Sequence, residues 1–146
     1  MTTTYKSNQL TNVDSVPQVK REANEKGKLH AAFFSFTVPV GNAAIGTTIE
    51  LVRLPKDARP VFANAGWEAM STGGGAADMS LGDGTTADAF LEATSVDAAG
   101  NTAFFNIPSR QGGVALTADT SVIATVGTEA WLAGQKLIGS VHYIKD

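Results

Sequence analysis

Two histidines, His30 and His142, are the side chains best suited to acid or base work in this chain, because imidazole titrates near neutral pH. They fall in no HxH or HExxH spacing, and only strands brought side by side would join them. The simpler reading is two half-exposed strand residues. Asp78, Asp83 and Asp88 recur every five residues around a Gly82-Asp83-Gly84 turn. Hard cations want several oxygen ligands, so this spacing raises a calcium site. The EF-hand pattern D-x-[DN]-x-[DN]-G-x5-E is missing, however, and Asp-Gly is also the ordinary composition of a tight turn. The glycines 73–75 are followed by no G-K-[ST] and fit no G-x-G-x-x-G spacing, so they are not a phosphate loop. There is no G-x-S-x-G elbow. Trp67 and Trp131 could stack on sugar rings, although packing in a core or an interface is the commoner fate of tryptophan. No catalytic residue, cofactor site or metal site is assigned on these patterns, and the expectation is a protein that is not an enzyme.

Composition narrows the classes further. The chain holds no cysteine, which removes disulfide frameworks, thiolate nucleophiles and cysteine-ligated zinc. A net charge of −3 argues against a general nucleic-acid binder. Charged residues make up 17% of the chain, against about 25% in an ordinary globular protein. Its 22 Ala, 16 Thr and 15 Gly point to β-structure with many turns and a weakly charged surface. The opening residues, MTTTYKSNQLTNVDS, hold no apolar stretch of signal-peptide type, and no run reaches the ~20 apolar residues of a membrane span. The expectation is no membrane partner, and a protein made and kept in a cytoplasm or carried inside something assembled there. At 146 residues, one domain with a real core is expected.

The elements that would carry any site are strands. The segment 29–40 alternates, with Phe34, Phe36 and Val38 on one face and Phe33, Ser35 and Thr37 on the other. A second strand follows at 47–54, and Pro55 and Pro60 bound a turn. The third, 61–71, is read with Val61, Ala63, Ala65 and Trp67 on one side, and Gly66 suggests a bulge or a close backbone approach. Segment 76–82 leads into the Asp83-Gly84 turn. Segment 87–96 reads as strand or as a short helix, since Ala, Leu and Glu favour helix. Further strands are expected at 102–107, 114–117, 120–127 and 135–144. Some eight short strands at this spacing, with no alternating amphipathic helices, predict an all-β fold: an antiparallel β-sandwich, jelly-roll-like, with an extended N-terminal arm. A sandwich of other topology is the next choice.

Charge divides the chain the same way. Residues 1–30 hold five basic and three acidic side chains, and residues 31–146 hold six and eleven, so a mildly basic leader precedes an acidic body. The leader shows neither strand alternation nor a helical stripe. It reads as an arm over 1–28, ahead of a sandwich domain over 29–146. A disordered tail and an arm that orders on a partner both fit it. In the second case Tyr5, Leu10, Val16 and Pro17 are the anchors, spaced by hydrogen-bonding Asn, Gln, Ser and Thr, while Lys20 and Arg21 meet an acidic surface.

Three runs carry a resemblance: LVRLPKDARPVFANAGWEAMS, MSLGDGTTADAFLEATSVDAAGNTAFF and LTADTSVIATVG. In this order they resemble small structural proteins of tailed-bacteriophage heads, the capsid decoration (cement) proteins, over roughly residues 30–146. The resemblance implies a virion component on the outer capsid surface, assembled in the host bacterial cytoplasm. Its partners would be the major capsid protein and itself, as a homotrimer, and its work would be to clamp neighbouring capsid subunits. A phage-associated sandwich that binds glycans for host recognition is the alternative, and it needs an exposed aromatic pair.

Overall fold

A computed structural model describes residues 28–145. The described residues form eight strands: β1 (Lys28–Thr37), β2 (Thr48–Leu54), β3 (Arg59–Trp67), β4 (Asp78–Gly82), β5 (Leu91–Ser95), β6 (Gly100–Phe104), β7 (Thr120–Gly127) and β8 (Lys136–Lys145). A single 3₁₀ turn, Pro108–Arg110, interrupts them among the described residues. They make two four-stranded antiparallel sheets, ordered β1-β8-β3-β6 and β2-β7-β4-β5. The pairings β1·β8, β2·β7, β3·β6 and β4·β5 are nested one inside the next. Such nesting is the wiring of an eight-stranded jelly roll, a long folded hairpin rolled into two sheets. The all-β antiparallel sandwich expected from the strand spacing is the fold observed.

Apolar alternation accounts for the layers. Phe34 and Val38 are buried and Phe36 half-buried, while Phe33, Ser35 and Thr37 face out, as the β1 pattern requires. The core fills the space between sheets with Leu54, Ala63, Ala65, Met79, Leu81, Phe104, Val122, Val126, Trp131, Leu137 and Val141. Among the described residues, no polar or charged side chain is fully buried. Gly139 on β8 makes room for this packing. A Cβ there would overlap the Phe34 ring and the Asn64 carbonyl, so glycine lets the ring lie across the strand.

Four local expectations change. The bulge lies not at Gly66 but between Pro60 and Phe62. It turns Val61 outward, so Pro60 rather than Val61 shares the buried face with Ala63, Ala65 and Trp67. Segment 87–96 resolves as strand from Leu91, because β4 offers a ladder that overrides its helix propensity. Segment 114–117 is not a strand. It makes two backbone bonds with the Pro55–Pro60 turn, Leu116 N–H to Ala58 O and Asp57 N–H to Leu116 O, both 2.9 Å, and buries Leu116. The strand expected at 102–107 begins at Gly100 and stops at Phe104, since Phe105 takes the left-handed region at φ 55°. That twist sends two consecutive rings, Phe104 and Phe105, into the core.

Candidate functional site

The fold separates the residues whose chemistry could have made a site. β1 and β8 are neighbours, so the two histidines do lie close in the sheet, with Ala31 opposite His142 and Tyr143 opposite His30. Strand alternation nevertheless puts them on opposite faces. His30 stacks on Tyr143 at the rim of the core side, with centroids 5.2 Å apart. His142 faces out beside Phe62, its Nε2 3.2 Å from Ser140 Oγ. No acid–base pair results.

The three aspartates do not converge on one site: the carboxylates of Asp83 and Asp78 are taken up by local hydrogen bonds, and Asp88 is engaged through its main-chain carbonyl. Asp83 accepts from the amides of Thr86 (2.8 Å) and Thr85 (2.9 Å), and these bonds, Thr86 first, hold its carboxyl below the usual carboxylate range. Asp78 accepts from Thr128 Oγ1 at 2.7 Å. The Asp88 carbonyl accepts from Arg110, whose guanidinium also pairs with Glu92 at 2.6 Å. Among the described residues, no three carboxylate or imidazole groups gather in a way that would hold a metal ion. A hollow of about 270 Å³ beside the Asp83 turn is lined by Thr48, Gly82, Gly84, Thr85, Ala87, Ile123 and Thr125, none of them ionisable.

Trp131 is fully buried, and its indole N–H donates to the Asp78 carbonyl at 3.1 Å. Trp67 is 8% exposed and donates to the Ala98 carbonyl at 2.9 Å. The two tryptophans read as candidates for sugar stacking are therefore built into the sandwich.

Sequence patterns missed one polar device, centred on Glu129. Its carboxylate accepts from Ala76 N (2.7 Å), Thr72 Oγ1 (2.8 Å), Thr72 N (2.6 Å), Ser71 Oγ (2.9 Å) and Gly74 N (3.1 Å). These donors, Ala76 foremost, push its carboxyl down to about 2. The 71–76 loop is thus a cradle for a carboxylate of the same chain, with Gly74 N–H bonding Glu129 directly and the Gly73 and Gly75 amides donating to Ser71 Oγ. A Cβ on Gly74 would stand 2.9 Å from the Glu129 carboxylate. The signal was the glycine run itself, but its ligand lies more than fifty residues away in the chain.

What the fold does display is a surface. The outer face of the β1-β8-β3-β6 sheet carries Leu29, Ala31, Phe33 and Ser35 from β1, Ile138, Ser140, His142 and Ile144 from β8, Phe62, Asn64 and Gly66 from β3, and Asn101 and Ala103 from β6. Arg59, Glu68 and Lys136 stand at its ends. Phe33 is 77% exposed, Leu29 66%, Ile138 54% and Phe62 45%. Four large apolar side chains on one uncharged face are the composition of an interaction surface. The six arm residues, Tyr5, Leu10, Val16, Pro17, Lys20 and Arg21, lie outside the described residues.

The protein is thus an antiparallel β-sandwich that presents a broad, largely apolar sheet face. Its fold is shared with chains of three phage capsids. It is similar to a chain of the capsid of Ralstonia phage GP4, with a TM-score of 0.69 and 24% identity over 82% of this chain and 86% of that one. A chain of the cyanophage Pam1 capsid asymmetric unit matches with a TM-score of 0.64 and 17% identity over 82% and 86%. A chain of the acid-stable capsid of Helicobacter pylori bacteriophage KHP30 matches with a TM-score of 0.60 and 14% identity over 83% and 92%. No protein-family model and no curated protein matches the chain. Among the described residues, no helix is long and apolar enough to cross a membrane.

Proposed function

We propose that this chain is a structural component of a phage virion, a decoration protein on the outer capsid surface that bridges adjacent major capsid protein subunits. The observation that carries the reading is the match of nearly whole chains, 82–83% of this one, to chains of three phage capsids. The physical character of the molecule supports it. A sandwich with an apolar core and a broad weakly charged face is a stiff body suited to lie against neighbours. The role is mechanical, without catalysis or cofactor, and the working form is a homotrimer. Repeated weak contacts around a symmetric shell then add up by avidity.

In this reading the arm reaches a neighbouring capsid subunit. Tyr5, Leu10, Val16 and Pro17 anchor it, and Lys20 and Arg21 meet acidic shell surface. Assembly takes place in the host bacterial cytoplasm. The test is capture of the tagged full-length protein by capsids that lack it, at the salt concentration of assembly. Saturable co-sedimentation is expected, and its absence refutes the reading. Combined substitution of Tyr5, Leu10 and Val16 by Ala should weaken capture without moving the thermal midpoint. Unchanged capture would remove the arm from the contact.

A further inference from the structure

The outer sheet face has relief as well as apolar character. Phe33 stands as a knob on the edge strand β1, 77% exposed. Two strands away, Gly66 leaves a hollow of about 360 Å³. Ile138 and Asn101 flank it, Trp67 and Gly100 contribute to its wall, and Glu68 and Lys136 stand at its rim. Gly66 does not need to be glycine for its backbone. Its φ is not positive, and a Cβ there would have its nearest neighbours at 3.8–3.9 Å, an ordinary contact. The missing side chain leaves space at the surface, not room for a turn.

Phe33 cannot fill this hollow within its own chain. Two strand spacings and two residues of rise separate them, about 12 Å along the sheet, and Ile138 stands between. A second copy can fill it. We infer that the outer face of the β1-β8-β3-β6 sheet is a self-association surface, on which Phe33 of one copy seats in the Gly66 hollow of another. This names the self-contact of the oligomer proposed above and rests on that part of the reading.

Size and charge both select a second copy. The strands of this face hold 10, 10, 9 and 5 residues, which at ~3.3 Å rise and ~4.8 Å spacing give a footprint of roughly 540 Å², and side-chain relief raises it toward the ~800 Å² per partner of a stable protein interface. Residues 31–146 carry six basic and eleven acidic side chains, so the bodies of two copies bear net charge of the same sign. This face holds charge only at its ends, and copies can meet there without opposing like charges. Stacked sheets interdigitate side chains at about 10 Å separation, which matches an aromatic knob to a side-chain-sized hollow.

The chain's lack of cysteine makes the test direct. Single variants Phe33→Cys and Gly66→Cys are mixed and oxidised with copper–phenanthroline, and cross-linking is read on a non-reducing gel. The mixture should yield linked dimer several-fold faster than either variant alone. Equal rates would overturn the inference. Phe33→Ser and Gly66→Leu give a second readout by light scattering. Each should convert the oligomer to monomer while leaving the thermal midpoint in place. Wild-type protein that stays monomeric at about 100 µM, where a micromolar contact is saturated, would overturn it too. Oligomer that survives both substitutions, with Phe33→Ser losing capsid capture, would assign the face to the shell: the self-contact fails and the decoration reading stands. Oligomer lost in both variants, with wild-type protein not captured by capsids, would keep the self-contact and refute decoration.

Discussion

Glu129 is one carboxylate that organises a whole loop. Five donors from 71–76 converge on it, and its carboxyl is held at about 2 against an ordinary value of 4.5. A depressed carboxylate stabilises the fold at pH values above its unfolded pKa and loses that effect as pH falls through its folded one. The advantage of wild type over Glu129→Gln in thermal midpoint should therefore be full above pH 4.5 and decline toward pH 2. A difference independent of pH would mean that shape, not charge, holds the loop. At neutral pH the same variant should lose hydrogen-exchange protection at the amides of Thr72, Gly74 and Ala76 while β8 amides keep theirs. Phe105 shows another single-residue effect. Its left-handed backbone is tolerated because its ring packs 4.7 Å from Phe90 and 5.0 Å from Phe104. Phe105→Ala keeps the strained backbone and removes the packing, so a loss of about 3–5 kcal/mol in urea unfolding is expected.

Among the strands, β8 and β1 carry contrasting burdens. β8 is central, bonded to β1 on one side and β3 on the other, and it supplies Leu137 and Val141 to the core. Its Gly139 leaves no room for a side chain. Gly139→Ala should displace Phe34 and cost about 1–3 kcal/mol, whereas Gly66→Ala, on the same sheet, should be near neutral. Equal effects of the two would contradict the packing. β1 is an edge strand of ten residues with continuous register. The other edges are blunted: β2 has a register shift and the exposed Glu50–Arg53 pair, and β5 and β6 are five residues each. A long, flat, nearly uncharged edge invites strand addition. Ser35→Lys, outward-facing on β1, should slow aggregation under agitation while changing unfolding free energy by less than about 0.5 kcal/mol.

As a whole, the molecule is wired so that its first and last described strands pair. β1 cannot find β8 until nearly the entire sandwich sequence has been made, and of the pairs nested inside that closure only β4·β5 joins consecutive strands. Refolding in milliseconds to seconds is expected from stopped-flow fluorescence of the two buried tryptophans, as for other sandwiches of non-local topology. A microsecond refolding phase carrying the full amplitude would contradict that wiring. The same closure leaves the sheet's outer face as the broad surface on which a mechanical role can act.

Local pattern was enough to read the class of the fold and much of its grammar. Alternation of Phe34, Phe36 and Val38 placed β1 with its correct face inward, because side-chain direction in a strand follows from a period of two residues. Pro55 and the Asp83-Gly84 pair marked turns through their own backbone restrictions, whereas Pro60, read as the end of the first turn, lies inside β3 opposite Tyr143. The expectations that changed were those decided by distant partners. A bulge beside Pro60 reversed Val61, the twist at Phe105 ended β6, and Leu116 found a turn rather than a ladder. The glycines 73–75 were visible, but their carboxylate was not, since hydrogen bonding to Glu129 depends on the loop's place beside β7. Likewise the exposed Phe33 was legible as the outward residue of an alternating strand, while the hollow at Gly66 exists only once β3 lies between β8 and β6. Residue type and spacing thus settle which way a side chain points from its own strand. Register and neighbouring strands, which join residues far apart in sequence, settle what it meets there.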